Sequence, residues 1–278
     1  MQNPNAERSE QQRQMVTSYD LVAAGYDTQR YMRVCASRLV ELVGLPSGAK
    51  VLDVATGTGW AALAAARTVG ATGQVVGVDM TPGMLEQARR KAAMAHLTNV
   101  AFREGDAQQL DFPPHSFDAV LCASAIFFFP DMLAAVREWL RVTKPGCQVA
   151  FSTCGDTLFH PMRAMLNARL SRYGVRLPSQ PHNQRLTDPE QCRALLREAG
   201  CAHIAVHTEQ LGYYLRDVDE YWEDTVAWNG SWRGRIAQIP PEQLAQFRAE
   251  HLAEVSALAT DRGIWVDVPC NVALGHKP

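Results

Sequence analysis

The stretch KVLDVATGTGWAALAAA, from Lys50 to Ala66, constrains the fold more than any other part of this chain. Val51-Leu52-Asp53-Val54 is a short apolar run of strand character. Ala55-Thr56-Gly57-Thr58-Gly59 interrupts it as a tight turn, and the alanine-rich segment from Trp60 onward has high helix propensity. Strand, turn and helix start in that order aim backbone N–H groups and a helix N-terminus at a ligand. Gly57 and Gly59 permit a close approach and dihedrals that a side chain forbids. Asp53, near the strand end, is the nearest group able to accept hydrogen bonds from an ammonium or a hydroxyl.

The chain then repeats the alternation. QVVGVD, from Gln74 to Asp79, is a second strand closed by an acid, and Thr81-Pro82 starts a helix. An acid at the end of the second strand, about 20 or more residues after a glycine turn, can hold both hydroxyls of a ribose. Val100–Arg103 leads into Gly105-Asp106-Ala107, Phe117–Leu121 runs up to Cys122-Ala123, and Gln148–Ser152 follows Lys144-Pro145-Gly146. Strands separated by helices imply a parallel sheet with right-handed crossovers, whose ligand lies beyond the carboxyl ends of the strands. Asp53, Asp79, Asp106 and Ala123 all fall at those ends.

LDVATGTG, VGVDMTPGML, FREGDAQQLDFPPHSFDAV and RVTKPGCQVAFS, in this order, resemble the class I S-adenosylmethionine-dependent methyltransferases, and most the branch of the ubiquinone and menaquinone C-methyltransferases. The likeness covers roughly residues 45 to 155. A nicotinamide-type fingerprint fits less well, because Ala55 stands at its first glycine position. The resemblance implies a doubly wound α/β fold: a mostly parallel, seven-stranded, Rossmann-like sheet with helical cap insertions. It implies S-adenosyl-L-methionine as cofactor, with Gly57, Gly59 and Asp53 at the methionine portion and Asp79 on the ribose. Asp106 and Ala107 would meet the adenine, with Met80 and Met84 against its ring and Ala55 and Ala123 lining the same site. In related enzymes a segment like YDLVAAGYD covers the cofactor, which assigns Tyr19 and Tyr26 to that lid.

Composition narrows the partners. With 27 basic and 29 acidic residues the net charge is −2, and no basic block stands out. No nucleic-acid partner is expected. The seven cysteines follow no C-x-x-C spacing and read as free thiols of a reducing compartment, so no metal site is expected. No apolar run approaches the ~18 residues of a membrane span. MQNPNAERSEQQRQ has no apolar signal core. A cytoplasmic enzyme is therefore expected, and residues 1 to about 14 read as a frayed polar tail.

The remainder divides into an N-terminal helical arm (1–45), cofactor core (46–155), first cap insertion (156–187), core helix and strand (188–211), second, aromatic insertion (212–260) and a final core strand (261–278). Thr187-Asp188-Pro189-Glu190 reads as a capping box. WVDVPCNVAL, Trp265 to Leu274, reads as one alternating strand. Tyr213, Tyr214, Tyr221, Trp222, Trp228 and Trp232 either line a pocket for a flat acceptor or form the insertion's own core. His160 and His182, in the first insertion, are the candidate bases for an acceptor whose proton must leave. The reading is methyl transfer to a small apolar or aromatic molecule such as a secondary metabolite, quinone precursor or lipid-like acceptor. A cofactor-binding protein of this fold without methyl transfer and an RNA methyltransferase are the alternatives. The arm and the aromatic insertion allow a homodimer.

Overall fold

Continuous apolar runs such as Val51–Val54 bury both faces of a strand, and only a central position in a parallel sheet covered by helices on both sides does that. The computed structural model describes residues 9–177 and 182–278. Among them the strands are β1 (Lys50–Val54), β2 (Gln74–Asp79), β3 (Val100–Glu104), β4 (Phe117–Cys122), β5 (Thr143–Cys154), β6 (Ala202–Gln210), β7 (Tyr213–Leu215), β8 (Ile264–Val266) and β9 (Pro269–His276). The main sheet runs β3-β2-β1-β4-β5-β9-β6, parallel from β3 to β5, with β9 antiparallel to both its neighbours. This is the expected seven-stranded, Rossmann-like sheet.

The helices are α1 (Glu10–Asp20), α2 (Arg30–Val43), α3 (Trp60–Val69), α4 (Pro82–Met94) and α5 (Met132–Val142). They continue as α6 (Met162–Arg172), α7 (Pro189–Ala199), α8 (Val218–Tyr221), α9 (Gly230–Ile236) and α10 (Pro241–Ser256). Alternation along the strands splits the interior in two. Val51, Ala119 and Leu121 join Leu39, Ala62 and Leu85 on one face, while Leu52, Val54 and Val120 join Phe117, Trp139 and Phe151 on the other. The alanines of α3 (Ala61, Ala62, Ala65, Ala66) are buried, so small side chains let this helix lie close to the sheet.

Three expectations are corrected. Residues Glu10–Gln14 are helical rather than frayed: the Ser9 hydroxyl accepts from the Gln12 N–H, and the Gln12 side chain accepts from the Ser9 N–H. Residues 1–8 of that tail, and 178–181 of the proline-containing loop, lie outside the described residues. The cap of α7 is Asp188, which accepts from Glu190 N at 2.8 Å, rather than a box led by Thr187.

The single C-terminal strand is two. β8 pairs with β7 in a small separate sheet, and only β9 enters the main one. Pro269 lacks the N–H a continuous ladder needs. The side-chain Oε1 of Gln210 takes the Val268 N–H at 2.9 Å, and Asp267 receives the Thr157 hydroxyl and the Gln210 side-chain amide. Burial alternates straight through this junction, which is why the pattern alone reads as one strand.

The cap over the sheet is cross-tied by charge. Arg169 of α6, only 3% exposed, pairs with Glu250 and Glu254 of α10. Among the described residues no helix is long and apolar enough to cross a membrane.

Candidate functional site

β1 and β4 are neighbours in space but are separated in sequence by β2 and β3, so the chains leaving their carboxyl ends diverge and open a crevice. A cavity of about 1130 Å³, partly open to solvent, occupies that place. Tyr26, Ala55, Gly57, Asp79, Met80, Met84, Ala107 and Ala123 all border it. The glycine turn is folded onto β2 from above. Thr56 N–H donates to the Val78 carbonyl at 3.0 Å and Gly57 N–H donates to Asp79 Oδ2 at 2.8 Å. Thr81 N–H donates to the other Asp79 oxygen at 2.9 Å. Burial pushes the Asp79 carboxyl above its ordinary range, and these amides pull it back.

Asp53, Gly59 and Asp106 do not border the cavity. Asp53 is fully buried beneath the turn, where one oxygen accepts the Thr56 hydroxyl at 2.5 Å and the Ala62 N–H at 3.0 Å. Its other oxygen has no hydrogen-bond partner among the described residues. It is therefore a half-satisfied carboxyl below the site rather than a wall residue. Gly59 (φ 87°) starts α3, and a Cβ there would sit 3.0 Å from Ala88 and 3.1 Å from Phe102. Its role is close helix packing, whereas Gly57 is the glycine that meets the cavity. Asp106 accepts the Gln108 N–H at 2.8 Å and the Gln12 amide at 2.9 Å, which ties α1 down at the cavity's edge.

Burial pushes the Asp53 carboxyl up to about 7, against the hydrogen bonds from Thr56 and Ala62. The sign of its effect on stability follows. The unfolded chain releases this proton near pH 4 and the folded chain near 7, so the group's contribution declines as pH climbs through that window and is flat above it. In cofactor-free protein, calorimetric melting from pH 5 to 8 is expected to show wild type losing stability relative to Asp53→Asn as pH rises. A difference that does not change with pH would refute the buried, proton-holding carboxyl.

A second cavity, of about 720 Å³, lies beyond the first and shares Tyr19, Tyr26, Met32, Ser124 and Phe128 with it. Tyr19 meets Tyr26 and Phe128 edge-on at 6.0 and 5.8 Å between centroids, so these rings form the partition. Burial raises the pKa of both tyrosines and keeps them neutral. His182 borders this cavity with its ring 5.6 Å from Phe128. Burial, with Arg185 and Arg235 nearby, lowers its pKa, so the imidazole is neutral at pH 7 and has a lone pair available. His160 borders neither cavity and is exposed, its N–H bonded to the Thr157 carbonyl. It is removed from the candidate bases: in this turn the buried member is Phe159. Of the six aromatics singled out in the second insertion, Trp232 alone borders the cavity. Tyr221 is core, bonded to His251 at 3.0 Å, and Tyr213 donates to Asp224.

Several residues of the site escape sequence reasoning. Asp27 accepts the Thr58 hydroxyl at 2.6 Å and pairs with Lys91 at 2.8 Å, while Lys91 lies 3.6 Å from the Trp60 ring centroid. This clasp fastens the Tyr26 loop to the glycine turn. Ser124, at φ 51°, is held by Ser152, whose hydroxyl accepts its N–H at 3.0 Å. A strained serine just past a strand end has no spacing signature, although its neighbour Ala123 does stand at the predicted strand end.

Residues 51–146 match the family described as a methyltransferase domain. Over 147 residues the chain is 31% identical to an aklanonic acid methyltransferase of Streptomyces sp. (strain C5), covering 52% of this chain and 67% of that protein. It is 39% identical over 117 residues to a demethylmenaquinone methyltransferase of Staphylococcus aureus (strain MRSA252), covering 42% of this chain and 48% of that protein, so it spans about half the length of this relative. The YcgJ protein of Bacillus subtilis superposes with a TM-score of 0.57 at 23% identity over 87% of this chain and 97% of that one, a likeness of fold.

Proposed function

The chain belongs to the class I S-adenosylmethionine-dependent methyltransferases, and from that premise we propose that it methylates a small quinone-like or polyketide-like ring system seated in the second cavity. The observation that carries the proposal is the partition itself: two cavities, one at the glycine turn and one under the cap, meet at Tyr19, Tyr26, Met32, Ser124 and Phe128. That is the arrangement a donor and an acceptor need. The two relatives are named for aklanonic acid and demethylmenaquinone, which supports a flat, largely apolar acceptor.

The residues present fit the cofactor. Asp79 lies at the cavity with its carboxylate oriented by two amides and is assigned to the ribose hydroxyls. Gly57 is assigned to the methionine portion, with the orphaned Asp53 oxygen below it offering charge to its ammonium. Met80 and Met84 border the place assigned to the adenine, and Asp106 holds the arm closed there through Gln12. Bound S-adenosylmethionine supplies a sulfonium-activated methyl group. The protein's own contribution is then alignment of the acceptor and exclusion of water by the tyrosine–phenylalanine partition, with oriented intramolecular reactions setting a scale of about 7–11 kcal/mol. Where the acceptor must lose a proton, His182 is the group placed to take it.

In the same reading, residues 1–45 act as a lid and 156–187 with 212–260 as the acceptor-binding cap. The acceptor is a small molecule and not a nucleic acid, and the enzyme works in the cytoplasm. A homodimer remains part of the expectation, and light scattering checks it. Methyl-labelled cofactor incubated with hydroxyquinones, hydroxyanthraquinones, tRNA and peptides is expected to label the ring compounds. Label appearing in tRNA or peptide alone overturns the acceptor class.

A further inference from the structure

The cap spends its acids on its arginines. Arg169 takes Glu250 and Glu254, Arg30 takes Glu220 and Asp224, Arg172 takes Glu254, and Arg248 takes Asp219. Arg185 is used differently, donating to the carbonyls of Phe127, Phe129 and Pro130. Arg163 on α6 and Arg235 on α9 depart from this pattern. Both border the second cavity, and neither has an acidic partner among the described residues. Among the described residues no Asp or Glu lines that cavity. Nη2 of Arg163 and Oδ1 of the adjacent lining residue Asn167 are both buried without a hydrogen-bond partner among the described residues.

A buried cation with no counter-charge is costly, and a protein keeps one where a ligand supplies the charge. Both guanidinium groups border the one cavity, and burial lowers the pKa of each. A guanidinium stays protonated even so, and its planar fork suits a carboxylate oxygen pair. The rest of the lining mixes polar groups (Gln29, Ser124, His182, Asn183, Asn229) with aromatic rings, among them Phe159 and Trp232, tilted at 46° with centroids 5.7 Å apart.

We propose that the molecule bound in the second cavity is an aromatic acid, its carboxylate received by Arg163 and Arg235 and its ring frame by Phe159, Trp232 and Phe128. The proposal rests on the reading of this cavity as the acceptor site, and it names the anionic group that reading leaves open. The arginines are binding residues that set specificity by charge, since an uncharged analogue would leave the buried Nη2 of Arg163 and the half-buried Arg235 without an anion.

The test uses protein saturated with S-adenosylhomocysteine and two probes of one shape, anthraquinone-2-carboxylate and anthraquinone-2-carboxamide, titrated calorimetrically. Wild type is expected to bind the acid roughly tenfold or more tightly than the amide, the scale of one charge-assisted hydrogen bond. In Arg163→Gln and in Arg235→Gln the acid-to-amide ratio is expected to fall towards one, as acid affinity drops and the penalty against the amide is relieved, while the cofactor site still binds S-adenosylhomocysteine. Arg163→Lys, which keeps the charge, is expected to retain part of the preference. Should Arg163→Gln fail to fold, the half-buried Arg235 carries the same test. Equal or absent binding of acid and amide to the wild-type complex overturns the proposal, as does a ratio that survives both neutral variants. Failure to bind S-adenosylhomocysteine would instead overturn the cofactor assignment, so the two failures are told apart.

Discussion

Asp79→Asn is expected to weaken binding of S-adenosylhomocysteine by about a hundredfold, because two charge-assisted hydrogen bonds to the ribose, each worth about 1.5–3 kcal/mol, lose their charge. The carboxylate stands at the cavity with Gly57 N–H on one oxygen and Thr81 N–H on the other, so its orientation is set before any ligand arrives. Burial has already raised its pKa, which means that part of the desolvation cost of binding is met in the free protein. Asparagine keeps the shape but turns an NH2 group towards one of those amides. A fall in melting temperature equivalent to about 1–3 kcal/mol is expected alongside, from one amide left unsatisfied. Calorimetric titration decides the matter. An affinity within threefold of wild type, in a variant with a normal circular dichroism spectrum, would show that Asp79 supports the turn and does not touch the ligand.

Trp139→Ala is expected to cost about 3–5 kcal/mol of stability, the range for removing a large buried aromatic. Trp139 is fully buried on α5, packs edge-on against Phe129 at 5.7 Å, and donates its indole N–H to the Ala107 carbonyl at 2.9 Å. Ala107 borders the first cavity, so this bond links the core on one sheet face to the site's wall. At about 2–4 °C per kcal/mol for a chain of this size, the melting temperature should fall by roughly 10 °C. Trp139→Phe separates the two contributions. It keeps most of the packing, removes the donor, and should lose about 1–3 kcal/mol for the orphaned carbonyl together with a little cofactor affinity. If Trp139→Phe melts with wild type, the indole bond contributes nothing and Ala107 is held by its own backbone.

The two variants also mark what each level of information could reveal. That Asp79 reaches the cavity is legible because it closes the second strand after a glycine turn, and the place of Gly57 and Ala55 at the same wall follows from the turn itself. Asp53, Gly59 and Asp106 lie in the same motifs, yet they serve the site from behind: one beneath the turn, one in a helix contact, one as the anchor of α1. Spacing along a strand says which end a residue occupies and not how deep its side chain is sunk. The histidine pair makes the point differently. His160 and His182 are equivalent as residues of one loop-rich insertion, and only the packed cap turns one out to solvent and sets the other against Phe128.

From the chain alone came the order of strands and helices, the parallel core, the carboxylates at its strand ends and the cofactor they suit. These are carried by short-range pattern: periodicity, turn residues and an acid at a set distance from a glycine turn. Tertiary structure decided that WVDVPCNVAL serves two sheets, that among the described residues Arg163 and Arg235 have no acidic partner while Arg169 takes two, and that one ring partition separates two cavities. The reason is physical. Burial, charge pairing and cavity shape are sums over side chains brought together from distant parts of the sequence, and no local stretch contains them.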